Sequence, residues 1–441
     1  GSGTMGRGIV QVFAQCGVRT LVFDAKPGAA QAAKDSIAQS LGKLAEKGRL
    51  QPADVTATLG RIEVVGALED LKPAHVVVEA IIESLEPKRE LFRALEGVVR
   101  EDCILASNTS SLSVTAMAAG CKKPSRIAGY HYFNPVPVMK VVEVVAGELT
   151  EPWVMDALVA LAKRYGHTPV RCKDTPGFVV NHAGRGYIPE SLRALVEGVA
   201  DFATIDRILV DAAGFRLGPF GLMDLVGLDV NQSVHKSLFE QYFNEPKYRP
   251  SYLLEPRVAA GLLGRKSGRG WYVYGKDGTA EKVPEQPVPQ AKPGPVWVAA
   301  NAGPLKELLQ KLGATVEAGA KPSADAILFT APIGQDATTT ALQLEIDPTR
   351  TVAVDPLFGF SKRRRLMTTP ITRAEVRDAA HALLASDKVP VSVIHDSPGS
   401  IAQRVVAHIV NVGCDIVQQR IASPADLDAA VMLGLGYPRG P

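Results

Sequence analysis

Short apolar runs recur through the first third of the chain and alternate with segments whose apolar residues have helical spacing. The apolar runs are TLVFD, RIEVVG, HVVVEAIIE, CILASNTSS, RIAGYHYF and MKVVEVV. Runs of this length that are rich in β-branched residues are typical of strands. Their alternation with helical segments predicts an α/β fold in which helices cover a mostly parallel sheet.

The chain opens with glycines at Gly1, Gly3 and Gly6. A helical pattern from Ile9 to Phe13 follows and ends at Gly17, and the strand TLVFD ends at Asp24. Glycines in a G-x-G-x-x-G turn let the backbone approach a pyrophosphate, whose charge lies at a helix N-terminus. An acidic residue after the next strand binds the ribose 2′-hydroxyl and favours NAD over NADP. The pattern predicts an NAD site, and a glycine-rich tail is the alternative.

A strand normally precedes such a glycine turn and lies in the middle of the sheet. No apolar run precedes Gly1 in this sequence. We therefore expect the native chain to carry a short apolar segment upstream, which an intact-mass measurement would test. The end of the chain also resembles an interrupted motif, since GYPRGP stops where the similar GFRLGP continues as FGLMDLVG.

One glutamate, Glu143, interrupts the valine run VVEVV at residues 141–145. A carboxylate inside such a strand loses its hydration unless the protein provides compensating partners. The alternative is an edge strand with Glu143 on its solvent face, but valines on both faces argue against it. We expect Glu143 to be buried and paired with a positively charged or hydrogen-donating group.

Polar residues gather where several of the predicted strands end. They are Glu79, the run Ser107–Ser111 and the run His131–Asn134. In open α/β sheets, ligands bind beyond the carboxyl ends of the strands. The spacing therefore predicts one polar rim that forms the ligand site.

Four segments at and after this rim resemble the L-3-hydroxyacyl-CoA dehydrogenases. They are ASNTSSL, GYHYFNPVPVMKVVEVV, DTPGFVVN and GRKSGRGWYVY, and the resemblance extends over residues 1 to about 275. It implies NAD-dependent oxidation of an (S)-3-hydroxyacyl-CoA to a 3-oxoacyl-CoA. It also implies a Rossmann-type NAD-binding domain followed by an all-α domain of the dimerisation type.

The resemblance assigns roles to individual residues. His131 and Glu143 would form the catalytic pair, with Ser110 and Asn181 contacting the substrate hydroxyl. The positions matching NAD contacts, besides the glycines and Asp24, are Glu83, Lys88, Asn134 and Lys266. The positions matching CoA contacts are Ser40 and Lys47. No metal site is implied.

The chemistry of the pair agrees with these roles. A histidine suits removal of an alcohol proton because its unperturbed pKa of about 6.5 lies near working pH. A fixed carboxylate on its other nitrogen holds one tautomer and stabilises the imidazolium, which would explain the burial of Glu143. A structural histidine is the alternative for His131. Ser111 is better explained as a helix cap and Ser110 as a substrate contact, and Lys47 and Lys88 could be plain surface lysines.

A second copy of part of the chain begins about halfway along it. DTPGFVVN starts at Asp174 and DSPGSIAQ at Asp396, an offset of 222 positions (396 − 174). At this offset Glu143 corresponds to Arg365, Ser110 to Pro332 and Asn181 to Gln403, and His131 falls in VAVDP, which has no histidine. A register held over so many positions indicates duplication. We expect one active centre per chain, because the second copy lacks the chemistry.

The repeat sets the expected domain organisation. The predicted parts are an NAD-binding domain (1–173), a helical domain (174–280), a proline-rich linker (281–295), a degenerate Rossmann-like segment without the glycine fingerprint (296–395) and a second helical repeat (396–441). The fused second helical part would replace or extend a homodimer interface, since linkage raises the effective concentration of a partner surface.

The composition of the chain limits the classes of partner that the protein is expected to bind. The 49 basic and 46 acidic residues nearly balance, which argues against nucleic acid, and we interpret the one basic cluster, Lys362–Arg365, as a solvated turn. Five scattered cysteines without metal-ligand spacing favour a reducing, cytoplasmic location. No apolar run reaches the ~20 residues of a membrane helix. The expected partners are NAD and an acyl-CoA substrate.

The acyl group is less clear from the sequence. Long bacterial relatives with two such helical domains include enzymes for 3-hydroxyadipyl-CoA in phenylacetate breakdown, whereas short ones usually take 3-hydroxybutyryl-CoA or longer unbranched groups. Arg185 lies four positions beyond Asn181, and on one helix face it could bind a terminal carboxylate. A surface or interface arginine is the alternative. A non-catalytic relative or a dehydrogenase of free hydroxy acids also remains possible.

Overall fold

Two five-stranded sheets and one two-stranded ladder organise the chain, and the computed structural model describes residues 1–441. In chain order the strands are β1 (Thr20–Val22), β2 (Ile62–Val64), β3 (Val76–Glu79), β4 (Ile104–Ser107), β5 (Ile127–Tyr132), β6 (Val141–Ala146), β7 (Thr168–Lys173), β8 (Val296–Val298), β9 (Ile327–Thr330), β10 (Thr351–Val354), β11 (Arg364–Thr368) and β12 (Val391–Ile394).

Seventeen α-helices surround or follow these sheets. They are α1 (Thr4–Gln15), α2 (Ala29–Glu46), α3 (Pro52–Gly60), α4 (Leu85–Glu96), α5 (Val114–Ala118), α6 (Pro152–Arg164), α7 (Val180–Ala183), α8 (Ile188–Val196), α9 (Phe202–Arg207), α10 (Pro219–Val226), α11 (Leu228–Gln241), α12 (Leu254–Ala259), α13 (Gly303–Lys311), α14 (Ala337–Gln343), α15 (Ala374–Leu384), α16 (Ile401–Gln418) and α17 (Pro424–Ala430). Short 3₁₀ turns lie at Leu68–Leu71, Pro124–Arg126, Gly184–Gly186, Pro246–Tyr248 and Arg265–Ser267, and π-helical turns at Ile208–Ala212 and Val431–Leu435. None of these helices is long and apolar enough to cross a lipid bilayer.

The first large sheet has the order β3-β4-β5-β6-β7, and only the β5–β6 pairing is antiparallel. The prediction of a mostly parallel α/β sheet is therefore confirmed. Helix α1 packs on this sheet because its apolar residues, among them Ile9 and Phe13, share a buried cluster with Tyr130, Tyr132 and Val142. The strand that carries Glu143 is buried along nearly its whole length and is not an edge strand.

A cavity separates the ladder of β1 and β2 from the first large sheet. Its volume is about 400 Å3, and its walls include β1 on one side and β3 on the other. Strand β1 pairs with β2, and β3 pairs with β4, so neither strand hydrogen-bonds the other across the cavity. The upstream strand expected from the glycine turn stays a prediction.

The second large sheet, β8-β9-β10-β11-β12, repeats the strand directions of the first. Only its β10–β11 pairing is antiparallel. Individual side-chain contacts are repeated as well. Asp174 accepts hydrogen bonds from the backbone N–H groups at the start of α5, and Asp396 accepts the equivalent bonds at the start of α14. The helical region of the chain is thus accompanied by an additional sheet, and this sheet lies where a degenerate Rossmann-like segment was expected.

The basic cluster is not the solvated turn that its composition suggested. Arg363, Arg364 and Arg365 are at most 3% exposed, and strand β11 begins at Arg364. Each guanidinium is compensated by acidic partners: Asp211 and Glu285 for Arg363, Asp387 for Arg364, and Asp355 for Arg365. The interpretation was wrong because the acidic partners lie 10 to 152 residues away in the sequence, so the charges within residues 362–365 do not reveal them.

The chain divides into two compact units. One comprises Gly1–Ala183 together with Gly413–Pro441, and the other comprises Gly184–Val412. The last 29 residues (413–441) thus belong with the first sheet, and the backbone N–H of Lys173 in β7 donates to the carbonyl of Ile421 at 3.0 Å. The predicted domain boundaries stay predictions, and no segment between 281 and 295 forms a helix or strand.

The buried pair of Arg365 and Asp355 gives a stability prediction. Arg365→Met removes the guanidinium and leaves Asp355, itself 4% exposed, without its charged partner. We expect this change to lower the free energy of unfolding by about 3–5 kcal/mol. Lys236→Met is the control, since the Lys236–Glu255 pair is exposed on both sides, and it should cost less than about 1 kcal/mol. Urea titrations that give equal losses for the two variants would contradict the prediction.

Candidate functional site

His131 and Glu143 form a buried pair across the β5–β6 ladder. The two residues are directly opposite in the antiparallel register, so their side chains lie on the same face of the sheet. His131 Nδ1 lies 2.6 Å from Glu143 Oε2. Because a carboxylate can only accept, Nδ1 carries the proton and donates it, and the lone pair is on Nε2. The solvent-facing alternative for Glu143 is excluded, since its side chain is 0% exposed.

The second carboxylate oxygen of Glu143 is held by the backbone. The N–H groups of Val179 and Val180 donate to Oε1 at 2.9 and 2.8 Å. The chain reaches them through Gly177 and Phe178, which have φ values of 74° and 47°. A left-handed phenylalanine costs about 1–3 kcal/mol, so the surrounding structure must hold this turn firmly. Glu143 therefore has donors on both oxygens.

Two further predicted residues meet beside this pair. The side-chain amide of Asn181, at the start of α7, donates to the carbonyl of Ser110 at 3.4 Å. His131 itself packs against the ring of Phe133 at 4.4 Å between centroids, and Phe178 lies edge-on at 6.0 Å. The structure therefore brings His131, Glu143, Asn181 and Ser110 to one end of the first sheet.

Glu83 organises the serine-rich loop after β4. Its Oε1 accepts from the hydroxyl of Thr109 at 2.7 Å, from the backbone N–H of Ser110 at 2.9 Å and from the hydroxyl of Ser111 at 3.0 Å. Burial alone would raise the pKa of Glu83, but these hydrogen bonds and nearby Lys88 bring that pKa below its ordinary value. Glu83 is thus ionised and fixes the backbone around Ser110.

Lys88 is not a plain surface lysine. Its side chain is 1% exposed, and its ammonium bonds Glu79 at 2.7 Å and Glu83 at 3.3 Å. Glu79 in turn accepts from the hydroxyl of Ser107 at 2.6 Å. The surface alternative was wrong because the helix that carries Lys88, α4, turns this residue inward onto the rim. In this structure Lys88 acts on the site through Glu83.

Helix α5 is capped by Ser113, and the expectation of Ser111 as the cap was wrong. Ser113 Oγ accepts from the N–H of Ala116 at 3.1 Å, and the Ser113 hydroxyl donates to Asp174 at 2.7 Å. Ser111 is instead held by Glu83. The sequence signal was present, since Asp174 opens the DTPGF segment, but its partner lies about 60 residues away.

The glycine turn fits the pyrophosphate of a dinucleotide. A Cβ atom on Gly1 would lie 2.5 Å from the carbonyl oxygen of Ala80, and one on Gly6 would strike the carbonyl of Gly1, whereas Gly3 has nothing within 4 Å. Helix α1 begins directly after Gly3 with no acidic residue in its first turn and no side-chain cap. Its first N–H groups are therefore available to an anion.

Asp24 lies beside this turn. Its Oδ2 accepts from the backbone N–H and hydroxyl of Ser2 at 2.7 and 2.8 Å, and Oδ1 accepts from the N–H of Lys26 at 2.9 Å. Burial raises the pKa of Asp24, but these donors outweigh it and leave the pKa below its ordinary value. The carboxylate is thus charged and lies beside the glycine turn.

The remaining predicted residues lie apart from this cluster or are exposed. Ser40 and Lys47 are exposed on α2 and at its C-terminal cap, and Asn134 is exposed in the loop after β5. Lys266 forms an ion pair with Asp229 at 2.5 Å in the second unit. Their roles stay predictions.

Arg185 does not share a continuous helix with Asn181. Helix α7 ends at Ala183, and Arg185 lies in the 3₁₀ turn Gly184–Gly186 with 6% exposure. The premise of one helix face was wrong because the glycines on both sides of Arg185 favour a tighter turn. Arg185 is close enough to the buried His235 to lower the pKa of that imidazole further, after burial itself.

Sequence reasoning missed three contributors to the site. They are the backbone amides of Val179 and Val180, the carboxylate of Asp174 at the start of α5, and residues 413–441, which belong to the same compact unit. Backbone donors leave no trace in residue identity. The partner of Glu143 was predicted, and the antiparallel register of β5 and β6 places His131 directly opposite it.

Comparison with known proteins agrees with this geometry. Residues 1–175 match the family model described as "3-hydroxyacyl-CoA dehydrogenase, NAD binding domain". The model described as "3-hydroxyacyl-CoA dehydrogenase, C-terminal domain" matches residues 177–274 and again 399–441. The two matches to the second model begin 222 positions apart (399 − 177), which agrees with the internal repeat.

Individual relatives cover the whole chain or its first part. The 3-hydroxyadipyl-CoA dehydrogenase of Escherichia coli K12 is 37% identical over 441 residues, covering 100% of this chain and 88% of the relative. The 3-hydroxybutyryl-CoA dehydrogenase of Clostridioides difficile is 39% identical and covers 63% of this chain and 98% of the relative. A crystal structure of 3-hydroxybutyryl-CoA dehydrogenase from Escherichia coli K12 has a TM-score of 0.87 at 35% identity, covering 100% of this chain and 88% of that one. The chain therefore belongs to the 3-hydroxyacyl-CoA dehydrogenase family.

Proposed function

We propose that this protein oxidises an (S)-3-hydroxyacyl-CoA to the 3-oxoacyl-CoA with NAD as the cofactor, using His131 as the general base. The observation that carries the proposal is the 2.6 Å contact between His131 Nδ1 and the fully buried Glu143, whose other oxygen is held by two amides. The family and its NAD-binding domain support the reaction class.

The hydrogen bond to Glu143 leaves Nε2 of His131 as the atom that can accept a proton. With Nδ1–H donated to Glu143, the lone pair on Nε2 accepts the proton of the substrate hydroxyl. The imidazolium that forms is stabilised by the carboxylate, which stays in place because Val179 and Val180 hold it. Bound NAD supplies the hydride acceptor for the carbon that loses its hydrogen. A preorganised pair costs no reorganisation at the moment of reaction.

Ser110 and Asn181 would orient the substrate hydroxyl toward His131. Their mutual hydrogen bond fixes the distance between the loop after β4 and the start of α7. Glu83 holds the backbone of Ser110, and buried Lys88 holds Glu83. Gly1, Gly3, Gly6 and Asp24 would hold the dinucleotide, with Asn134 and Lys266 as further cofactor contacts and Ser40 and Lys47 as CoA contacts.

The second copy supports a single active centre per chain. Its Gln403 donates to the carbonyl of Pro332 at 3.1 Å, which repeats the contact of Asn181 with Ser110 at the 222-residue offset. Where the first copy has Glu143, the second has Arg365, whose guanidinium bonds Asp355 at 3.3 Å. Gln403 also donates to Asp355 at 2.8 Å, so the equivalent space is filled by a closed polar network.

For the acyl group we propose the dicarboxylic 3-hydroxyadipyl thioester, with 3-hydroxybutyryl-CoA or longer unbranched thioesters as the alternative. The support is the relative named for 3-hydroxyadipyl-CoA, which matches over the full length of this chain. The proposed domains are those set out from the sequence, and the fused repeat would replace or extend a homodimer interface. A cytoplasmic location is proposed on the scattered cysteines alone.

Glu143→Gln tests the proposed pair. The oxygen of the glutamine amide can still accept a hydrogen bond. The neutral amide does not stabilise an imidazolium, however, and its NH₂ group favours the wrong tautomer of His131. We expect kcat to fall about 10²–10⁴-fold. The affinity for NAD, measured by fluorescence titration, should change less than twofold, since Glu143 lies away from the glycine turn. Stopped-flow absorbance of NADH under single turnover measures the hydride step.

Glu90→Gln is the matched control, because Glu90 is an exposed glutamate on α4. It should behave as wild type in both measurements. Equal losses of hydride transfer and NAD affinity in Glu143→Gln would count against the pair. A wild-type protein without activity on any 3-hydroxyacyl-CoA would overturn the proposed function itself.

A second prediction concerns the acyl group. If Arg185 binds a terminal carboxylate, Arg185→Met should lower kcat/KM for 3-hydroxyadipyl-CoA about 10–100-fold, the value of a charge-assisted hydrogen bond. The hexanoyl analogue should be affected less than twofold. Arg216→Met, at an exposed arginine, controls for loss of charge alone. An equal loss on both thioesters would assign Arg185 a structural role and remove it from substrate recognition.

A further inference from the structure

A glycine of the C-terminal repeat contacts the residues that hold Glu143. Gly434 lies in the π-helical turn Val431–Leu435, within the same compact unit as the first sheet. A Cβ atom at this position would lie 3.0 and 3.2 Å from the two γ-carbons of Val180 and 3.7 Å from a γ-carbon of Val141. Such distances leave no room for a side chain unless Val180 moves.

Both contacted residues position the carboxylate. The N–H of Val180 donates to Glu143 Oε1 at 2.8 Å. Val141 begins the strand that carries Glu143 two positions later. Gly434 therefore packs against α7, which supplies a donor to Glu143, and against β6, which carries Glu143 itself.

The glycine is not required by the turn in which it lies. At the 222-residue offset Gly434 corresponds to Ala212, the last residue of the equivalent π-helical turn Ile208–Ala212 in the first copy. Gly434 is absent from the positive-φ glycines of the chain. The small size of the residue is thus needed by the packing on Val180 and not by the backbone.

The C-terminal repeat is hydrogen-bonded to the first sheet close to Glu143. The N–H of Lys173 at the end of β7 donates to the carbonyl of Ile421 at 3.0 Å, just before α17. Helix α17 packs along β6 and β7, and the turn after it packs on α7. The segment from Ile421 to Leu435 therefore packs against β6, β7 and α7, the elements that surround Glu143.

We propose that the C-terminal repeat is a positioning element for the His131–Glu143 pair and that Gly434 is its contact residue. This inference rests on the proposed function. A side chain at 434 displaces Val180 by a few tenths of an ångström or more and lengthens its hydrogen bond to Glu143. The carboxylate then loses part of its backbone support, so the imidazole of His131 that is bonded to it is no longer held in one position.

The test uses Gly434→Ala and Gly434→Val in the full chain. We expect kcat to fall about tenfold for alanine and about 10²-fold for valine, because small misplacements of a catalytic group are costly. NAD affinity and KM should change less than threefold. A loss of kcat at unchanged KM and NAD affinity indicates a misplaced catalytic pair, whereas a general loss of packing would weaken binding as well. Gly60→Val, at an exposed glycine with nothing within 4 Å, should match wild type.

A compensating variant keeps the test decisive where valine prevents folding. Val180→Ala removes the γ-carbons that meet a residue at 434 and keeps the N–H donor. Combined with Gly434→Ala, it should restore the kcat of the Val180→Ala single variant, and the double-mutant cycle should show strong coupling. Wild-type kcat in Gly434→Ala and in folded Gly434→Val would overturn the inference while leaving the proposed function intact. Inactive wild-type protein would instead overturn the proposed function.

Discussion

A single buried carboxylate determines how this part of the molecule must be built. Glu143 has no exposed surface, and a carboxylate in that position is tolerated only if donors replace its lost water. The imidazole of His131 supplies one donor, and the backbone N–H groups of Val179 and Val180, just after the turn at Gly177–Phe178, supply two more. The antiparallel β5–β6 pairing, the strained turn and the start of α7 are therefore linked through one side chain.

The two copies of the sheet show what happens when that constraint changes. In the first copy the antiparallel ladder places His131 opposite Glu143. In the second copy the ladder aligns Ala353 with Met367, and the N–H of Asp355 donates to the carbonyl of Arg365 at 3.1 Å. The register has moved by two residues, which keeps the side chains on the same face, and an Asp355–Arg365 pair replaces the His131–Glu143 pair. The second site thus stays buried and satisfied, but it has no histidine, and the carboxylate of Asp355 is already bonded by Arg365, Ser400 and Gln403.

The duplication has a structural consequence for the first copy. The family model for the C-terminal domain matches the chain twice, but the last match is short, and its final residues belong to the compact unit of the first sheet. Asp206 against Gly218 and Asp428 against Gly440 repeat the same close contact in the two copies. The local folding rules are therefore shared, while the surface that each copy covers differs.

From hydrophobic periodicity and the cost of burying charge, which are local properties, the sequence alone predicted strands β1 to β6, the glycine turn and the need of Glu143 for a buried partner, but not strand β7. It also located the repeat and its missing chemistry. It did not reveal that the arginines of residues 363–365 are buried, that Ser113 and not Ser111 caps α5, or that Arg185 leaves the helix of Asn181. The buried arginines and the Ser113 cap depend on acidic partners that lie 10 to 152 residues away in the chain, whereas the turn at Arg185 follows from its neighbouring glycines. Only the tertiary structure brings Asp355, Asp174, Val180 and Gly434 to their partners, since contacts of that range are set by how the elements pack.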